Sequence, residues 1–201
     1  MRTHLLVVTI LLTGISASAD NLVTNPGFET GDPSGWTLAG RDSAPAFNGI
    51  YYGVDPADAH SGAFGAYFGP VGGVMTLSQN LTVMPNTDYT ISFWLAQAPA
   101  TPAPYINSLD VSFGGQPWIT QTAVPQASYT QYAVVGFSPS STTTLQFSFR
   151  NDTGFFSLDD VSVSLTPAPE PAVWMLLLAG FLCFIVRRNR AATARERFFR
   201  P

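Results

Sequence analysis

Lysine is missing altogether from this 201-residue chain, and cysteine occurs once, at Cys183. Charged residues make up 11% of the sequence, where about 25% is usual. Histidine occurs only at His4 and His60. Each shortage excludes something. One cysteine cannot close an intrachain disulfide, so a disulfide-stapled miniprotein is excluded. A disordered tail, a coiled coil or a polybasic nucleic-acid binder needs far more charge. Residues 20–169 hold one histidine, no cysteine and no lysine. Ser–His, Cys–His and Schiff-base catalysis therefore have too few groups to build from. Helical periodicity with caps is missing from residues 21–165, and so is any internal repeat.

What the chain does hold is apolar and aromatic. Hydrophobic residues reach 46% and aromatics 13%, alongside 17 Gly and 16 Pro, with a mean hydropathy of +0.17. The charges are segregated. Six of the nine arginines fall in the last 15 residues, whereas residues 20–169 carry only Arg41 and Arg150 against eleven acids, a net of −9. A body of that charge repels nucleic acid and anionic lipid and attracts cations.

The two ends read as addresses. MRTH, then LLVVTILLTGI, then SASA before Asp20 is the order of a secretory signal peptide over residues 1–19, with cleavage after Ala19. A short buried helix is the competing reading. At the other end residues 172–186 are free of charge and precede an arginine cluster. As a helix this run spans about 22 Å, short of the ~30 Å hydrocarbon layer. Snorkelling arginines and local thinning can close such a gap. The positive end faces the cytoplasm, which leaves residues 20–165 outside. A C-terminal core helix is the competing reading here, but it would be apolar on every face and end in RRNR.

The Thr/Pro/Ala-rich spacer of residues 166–171, its Pro169-Glu170-Pro171, the short apolar run with Gly180 and the pair Arg187-Arg188 resemble the PEP-CTERM sorting tail. The resemblance implies a Gram-negative bacterium with extracellular polysaccharide and an exosortase-type enzyme that processes the tail near Pro-Glu-Pro. An inner-membrane-anchored precursor would then pass to the cell envelope, surface or extracellular matrix. Residues 187–201 form the basic cytoplasmic tail, longer than the family pattern by AATARERFFRP.

Within residues 20–165 short alternating runs are separated by Gly, Pro, Asn and Asp. Met75, Leu77, Leu81 and Val83 share one face, as do Tyr89, Ile91, Phe93 and Leu95. Leu109, Val111 and Phe113 repeat the pattern, followed by Leu145, Phe147 and Phe149 and by Val161, Val163 and Leu165. Period-two runs at this spacing predict an all-β domain, a two-layer antiparallel sandwich flanked by the signal peptide and a single transmembrane helix. NLVTNPGFETGDPSGW, HSGAFGAYFG, LSQNLTVMPNTDYTISFWLAQ and FSLDDVSV, in that order, are similar to jelly-roll carbohydrate-binding modules and other galactose-binding-like domains. The resemblance implies that the sandwich is a jelly roll. Asn25, Pro26 and Gly27 suit a tight turn, with Phe28 and Trp36 as anchors for the first strands.

That resemblance implies a structural Ca²⁺ held by Glu29, the carbonyls of Ser61 and Gly62, and Asp159, an oxygen-only set of the kind calcium takes. Asp159 shares parity with Val161 and Val163, so it is expected to point inward. Backbone amides or Arg150 are the alternative partners for it. Asp159 and Asp160, as strand neighbours, are expected on opposite faces, which prevents them from flanking one glycosidic bond. His60, beside Ser61 in a loop, is expected to be exposed. Candidates for glycan contact are Trp94, outward by alternation, and Tyr51, Tyr52, Tyr105 and Trp118 in loop-like surroundings, with Asn107 and Gln116 as hydrogen-bonding neighbours. The competing reading makes these aromatics core, or covers Trp94 with the second sheet. Asn-x-Thr at Asn80 and Asn151 reads as a chance match to a glycosylation pattern. The sequence thus points to a non-catalytic exported protein sorted to the cell surface or polysaccharide matrix. A carbohydrate-binding module is the alternative, and a hydrolase a distant third.

Overall fold

The computed structural model describes residues 20–98 and 106–167. The signal peptide, the Pro169-Glu170-Pro171 motif, the apolar run 172–186, Arg187, Arg188 and Tyr105 lie outside the described residues. Ten strands account for nearly all regular structure: β1 (Thr37–Gly40), β2 (Tyr52–Asp55), β3 (Gly65–Phe68), β4 (Met75–Thr82), β5 (Thr87–Gln97), β6 (Asn107–Phe113), β7 (Gln116–Thr122), β8 (Ala127–Ser138), β9 (Thr142–Asn151) and β10 (Phe156–Leu165). Two three-residue 3₁₀ turns, Pro45–Phe47 and Pro56–Asp58, are the only helical pieces among the described residues.

The strands form two antiparallel five-stranded sheets, ordered β1-β4-β9-β6-β7 and β2-β3-β10-β5-β8. This is the all-β, two-layer sandwich that the alternation predicts, in the jelly-roll form that the resemblance implies. Each sheet turns its apolar residues inward because successive side chains on a strand alternate between faces. Met75, Leu77, Leu109, Phe147 and Phe149 meet Phe68, Ile91, Phe93, Leu158 and Val163 in one buried layer. Phe68 stacks on Phe149 at 4.5 Å, and Phe93 meets Phe147 edge-on at 5.1 Å. Such offset and T-shaped pairs are the favoured aromatic geometries. Among the described residues the buried apolar layer runs from Val23 to Val163, and the compact unit ends at Leu165. Residues 20–165 therefore carry their own core.

Strand β10 departs from simple alternation. Leu158 and Val161 both face the core, and the pairing of β10 with β5 shifts register between Asp159 and Ser162. This is a β-bulge, with Asp160 at φ 49°. The extra residue corrects the expected parity: Asp159 lies directly opposite Trp94, which itself faces outward, rather than in line with Val161. The bulge is fixed from outside. Val161 N–H donates to the carbonyl of Pro26 at 2.9 Å, and the Asn21 side chain bonds both Val161 O and Val163 N.

Candidate functional sites on the two outer faces

The opening turn positions the first cluster. Asn25 and Phe28 both take left-handed φ, at 51° and 56°. The Asn25 amide donates to Thr30 Oγ1 and to the carbonyls of Asp32 and Ser34, which holds the loop closed. Phe28 is fully buried and stacks on Trp36 at 5.8 Å, so both anchors serve as expected. With Phe28 fixed inward, Glu29 reaches the 60–64 loop. Its carboxylate accepts the backbone N–H groups of Ala63 at 3.0 Å and Phe64 at 3.2 Å. Gly62, at φ 67°, permits this approach, because a Cβ there would lie 2.1 Å from Glu29 Oε1.

Asp159 is buried under the same loop. Its Oδ2 accepts from the N–H groups of His60 at 2.7 Å and Ser61 at 3.0 Å, and its Oδ1 accepts from Asp160 N–H at 2.7 Å. Burial pushes the Asp159 carboxyl above the ordinary carboxylate range, the three amides pull it back, and the Asp160 charge raises it further. Arg150, the alternative partner, instead forms a bidentate pair with Asp152 at 2.8 and 3.0 Å. Asp160 also turns toward this loop, because the bulge removes the expected opposition of the two acids. It accepts from Ser61 Oγ at 2.7 Å and pairs with His60 Nδ1 at 2.7 Å.

Glu29, Ser61, Gly62 and Asp159 thus come together around the opening turn. A Cβ at Gly27 would meet Asp159 Oδ1 at 3.3 Å, Glu29 Cγ at 3.6 Å and Asp160 Oδ1 at 3.8 Å. Only glycine leaves that space open between carboxylates. Among the described residues no group of three or more His, Cys, Asp or Glu side chains is arranged around a metal position. Any ion here would take its remaining oxygens from main-chain carbonyls, a donor type calcium accepts. Nor do His60, Ser61 and Asp160 form a nucleophile–base pair, since Ser61 donates to Asp160 rather than to His60.

His60 is not the free loop residue expected. Its ring stacks on Trp94 at 3.9 Å and meets the edge of Tyr129 at 5.0 Å. Tyr129 donates its hydroxyl to the Asp58 carbonyl, and Ser157 Oγ donates to Asp58 Oδ1. Burial, joined by the charges of Asp159 and Asp58, drives the Tyr129 phenol well above its usual range. Trp94 faces outward as alternation predicts, yet His60 takes the face a sugar would use.

The other aromatic candidates lie elsewhere. Tyr51 packs against Phe47 at 5.5 Å beside the edge strand β2, Tyr52 opens that strand with its side chain buried in the core rather than in a loop, and Trp118 is 39% exposed on β7 of the opposite sheet. Asn107 is buried, with both ends of its amide tied to Val124, so it is closed to ligand. Asn151 is buried too, with its amide donated to Gln97, which makes it a structural residue.

Trp118 borders a surface that single-strand alternation does not reveal. The outer face of the first sheet carries Thr76, Ser148, Asp110 and Thr120 in one row across β4, β9, β6 and β7. The next row holds Ser78, Gln146, Ser112 and Pro117, with Trp118 at a bulge beside it. Arg150, already paired, and Ser108 and Thr122 extend the field. Its signal lay in the small polar residues between the core positions of three predicted strands. They become one surface only once the strand order β4-β9-β6-β7 is known.

No protein-family model matches the chain, and no curated protein does. Solved structures do. TmCBM61, in complex with beta-1,4-galactotriose, is similar with a TM-score of 0.56 and 20% identity over 74% of this chain and 100% of that one. The CBM22-1 xylan-binding domain of Xyn10C from Paenibacillus barcinonensis gives 0.51 and 19% over 76% and 98%. The K3 cleaved adhesin domain of Lys-gingipain from Porphyromonas gingivalis gives 0.51 and 18% over 73% and 98%. At these identities the likeness shows a shared fold alone, the two-layer β-sandwich.

Proposed function

We propose that this chain is a non-catalytic carbohydrate-binding protein, and that its glycan lies across the outer face of the first sheet. One observation carries the reading: two adjacent rows of hydroxyl and amide side chains cross four strands and end at the exposed Trp118. Hydroxyls and amides can both donate and accept, as sugar hydroxyls do, while an exposed indole offers an apolar face to a pyranose ring. Asp110 has no partner for its carboxylate among the described residues, so it can accept from a sugar hydroxyl. The net charge of −9 over residues 20–169 favours a neutral polymer over an acidic one. The fold shared with TmCBM61 and the xylan-binding domain supports the reading. Affinity electrophoresis through gels containing neutral polysaccharides tests it. Trp118→Ala should weaken binding at least tenfold, about 1.4 kcal/mol, without changing the melting temperature. Unchanged retardation of the variant would place the site elsewhere.

Export and sorting belong to the same proposal. The signal sequence 1–19, Pro169-Glu170-Pro171 and Arg187-Arg188 support a precursor held in the inner membrane and released to the surface by an exosortase-type enzyme. Glu170→Ala should retain the precursor in the inner-membrane fraction with residues 20–165 folded. Surface protein that still carries residues 187–201 would contradict sorting and leave the apolar run 172–186 as a plain anchor.

Calcium is proposed as a structural ion. Glu29 and Asp159, with the carbonyls of Ser61 and Gly62, would hold it, and it would clamp the opening turn to the 60–64 loop and the β10 bulge.

A further inference from the structure

The polar field of the first sheet continues past the row of Ser78, Gln146 and Ser112. Two residues further along the strands, Asn80 stands opposite Thr144, and the Gly114 N–H donates to the Thr144 carbonyl at 3.1 Å. The sheet ends there in two turns, β6–β7 at Gly114-Gly115 and β8–β9 at residues 139–141. Both turns line a pocket of about 430 Å³. Asn80, Ser138, Ser140, Thr142 and Thr143 contribute to its wall, which holds no ionisable and no aromatic side chain among the described residues. Thr143 is only 6% exposed, and its Oγ1 has no hydrogen-bond partner. Buried hydroxyls in native proteins are nearly always paired. Gly114, at φ 62°, overlies that hydroxyl, since a Cβ there would lie 3.1 Å from Thr143 Oγ1, whereas a Cβ at Gly115 would meet nothing within 4 Å. Asn80 Oδ1 accepts from Thr144 Oγ1 at 2.7 Å, which leaves the Asn80 N–H groups unpaired among the described residues.

We propose that this pocket binds the terminal sugar residue of a neutral glycan, so that the protein recognises chain ends. The inference rests on the glycan lying on the outer face of the first sheet. Hydroxyl and amide groups with no charge among them match a neutral polyol. Without an aromatic wall, the ring is held by hydrogen bonds rather than by stacking. A terminal residue carries a free hydroxyl where an internal one carries its linkage, so a pocket built of hydroxyls and amides favours the end. The site is continuous with the indole on the face. Ser112 pairs with Pro117, the neighbour of Trp118, and lies two residues, about 7 Å along a strand, from Gly114. Neighbouring residues of one glycan can therefore occupy the indole and the pocket. Both turns end the sheet at this point, so the polar field stops where the chain stops.

Isothermal titration of residues 20–165 with short and long fractions of beta-1,4-linked galactan and xylan tests the proposal, because end sites and internal sites count differently. For end recognition each polymer chain takes up one protein whatever its length, so capacity per gram falls as chains lengthen. Internal binding gives a capacity per gram independent of length. Thr143→Val replaces the hydroxyl by a methyl of the same shape. It should weaken binding of a short oligosaccharide about fivefold and leave the melting temperature unchanged or higher, because it removes an unpaired buried hydroxyl. A purely structural Thr143 would leave the affinity alone, and that result would overturn the pocket. Capacity per gram that ignores chain length, with binding still weakened by Trp118→Ala, would overturn the pocket and keep the sheet-face reading. Failure of the wild type to bind either polymer would overturn both.

Discussion

At φ 49° Asp160 adopts a backbone conformation uncommon for a residue with a side chain, and its neighbours repay the cost with hydrogen bonds. Asp159, His60 and Ser61 all bond at this point, which brings the Asp159 and Asp160 carboxylates close to Gly27. The proposed structural ion would lie between Asp159 and the Glu29 carboxylate, completed by main-chain carbonyls. EGTA should therefore lower the melting temperature of residues 20–165. A native-only ligand at a hundredfold excess over Kd contributes about 2.7 kcal/mol. Glu29→Gln keeps a carbonyl oxygen for the Ala63 amide but removes the charge, so it should abolish the chelator effect. An unshifted wild-type transition would contradict the ion. Asp58 makes a separate prediction. Burial raises its carboxyl above the ordinary range, opposed by the Ser157 hydroxyl and reinforced by the Asp55 charge. Between the unfolded value, about 3.9, and that raised folded value, the folded chain binds the extra proton. Asp58 thus favours the folded state as pH falls through this window and disfavours it as pH rises beyond. In excess chelator, Asp58→Asn, which still accepts from Ser157, should flatten this part of the stability profile. A variant with the wild-type slope from neutral pH to about pH 4 would contradict the assignment.

At the scale of elements, strands with clean alternation were legible in the sequence. The runs at 75–83, 89–95, 109–113, 145–150 and 161–165 are β4, β5, β6, β9 and β10, each with its predicted inward face buried except Leu165, which is 37% exposed. Five strands were not singled out. β1, β2 and β3 are four residues long, too short for a period to show, and β2 and β3 begin among glycines and aromatics. β7 is largely exposed and carries Pro117. β8 is the longest strand, yet its inward side includes Thr130, Gly136 and Ser138, so apolar alternation fades along it. The bulge explains the one parity error. Counting by twos from Val163 sends Asp159 inward, and a single extra residue reverses that. For the same reason the convergence of Asp159 and Asp160 could not be read from their adjacency. Glu29, Ser61, Gly62 and Asp159 were legible as a group only through motif order. The stacking of His60 on Trp94 depends on a loop path that no local pattern specifies.

For the molecule as a whole, the two outer faces have different roles. The face bearing Trp94 is built over by the 58–64 loop, whose amides and aromatic stacks fix the bulge and the opening turn. The face bearing Asp110, Gln146 and Trp118 is polar, crosses four strands and has no loop hydrogen-bonded over its two rows among the described residues. The most direct measurement is titration of the isotopically labelled body with a neutral oligosaccharide, followed by amide chemical shifts. The account predicts saturable changes at Thr76, Ser148, Asp110, Thr120, Gln146 and the Trp118 indole, with the 58–64 loop unchanged. Changes confined to His60, Trp94 and Tyr129, or none with any neutral glycan, would contradict it.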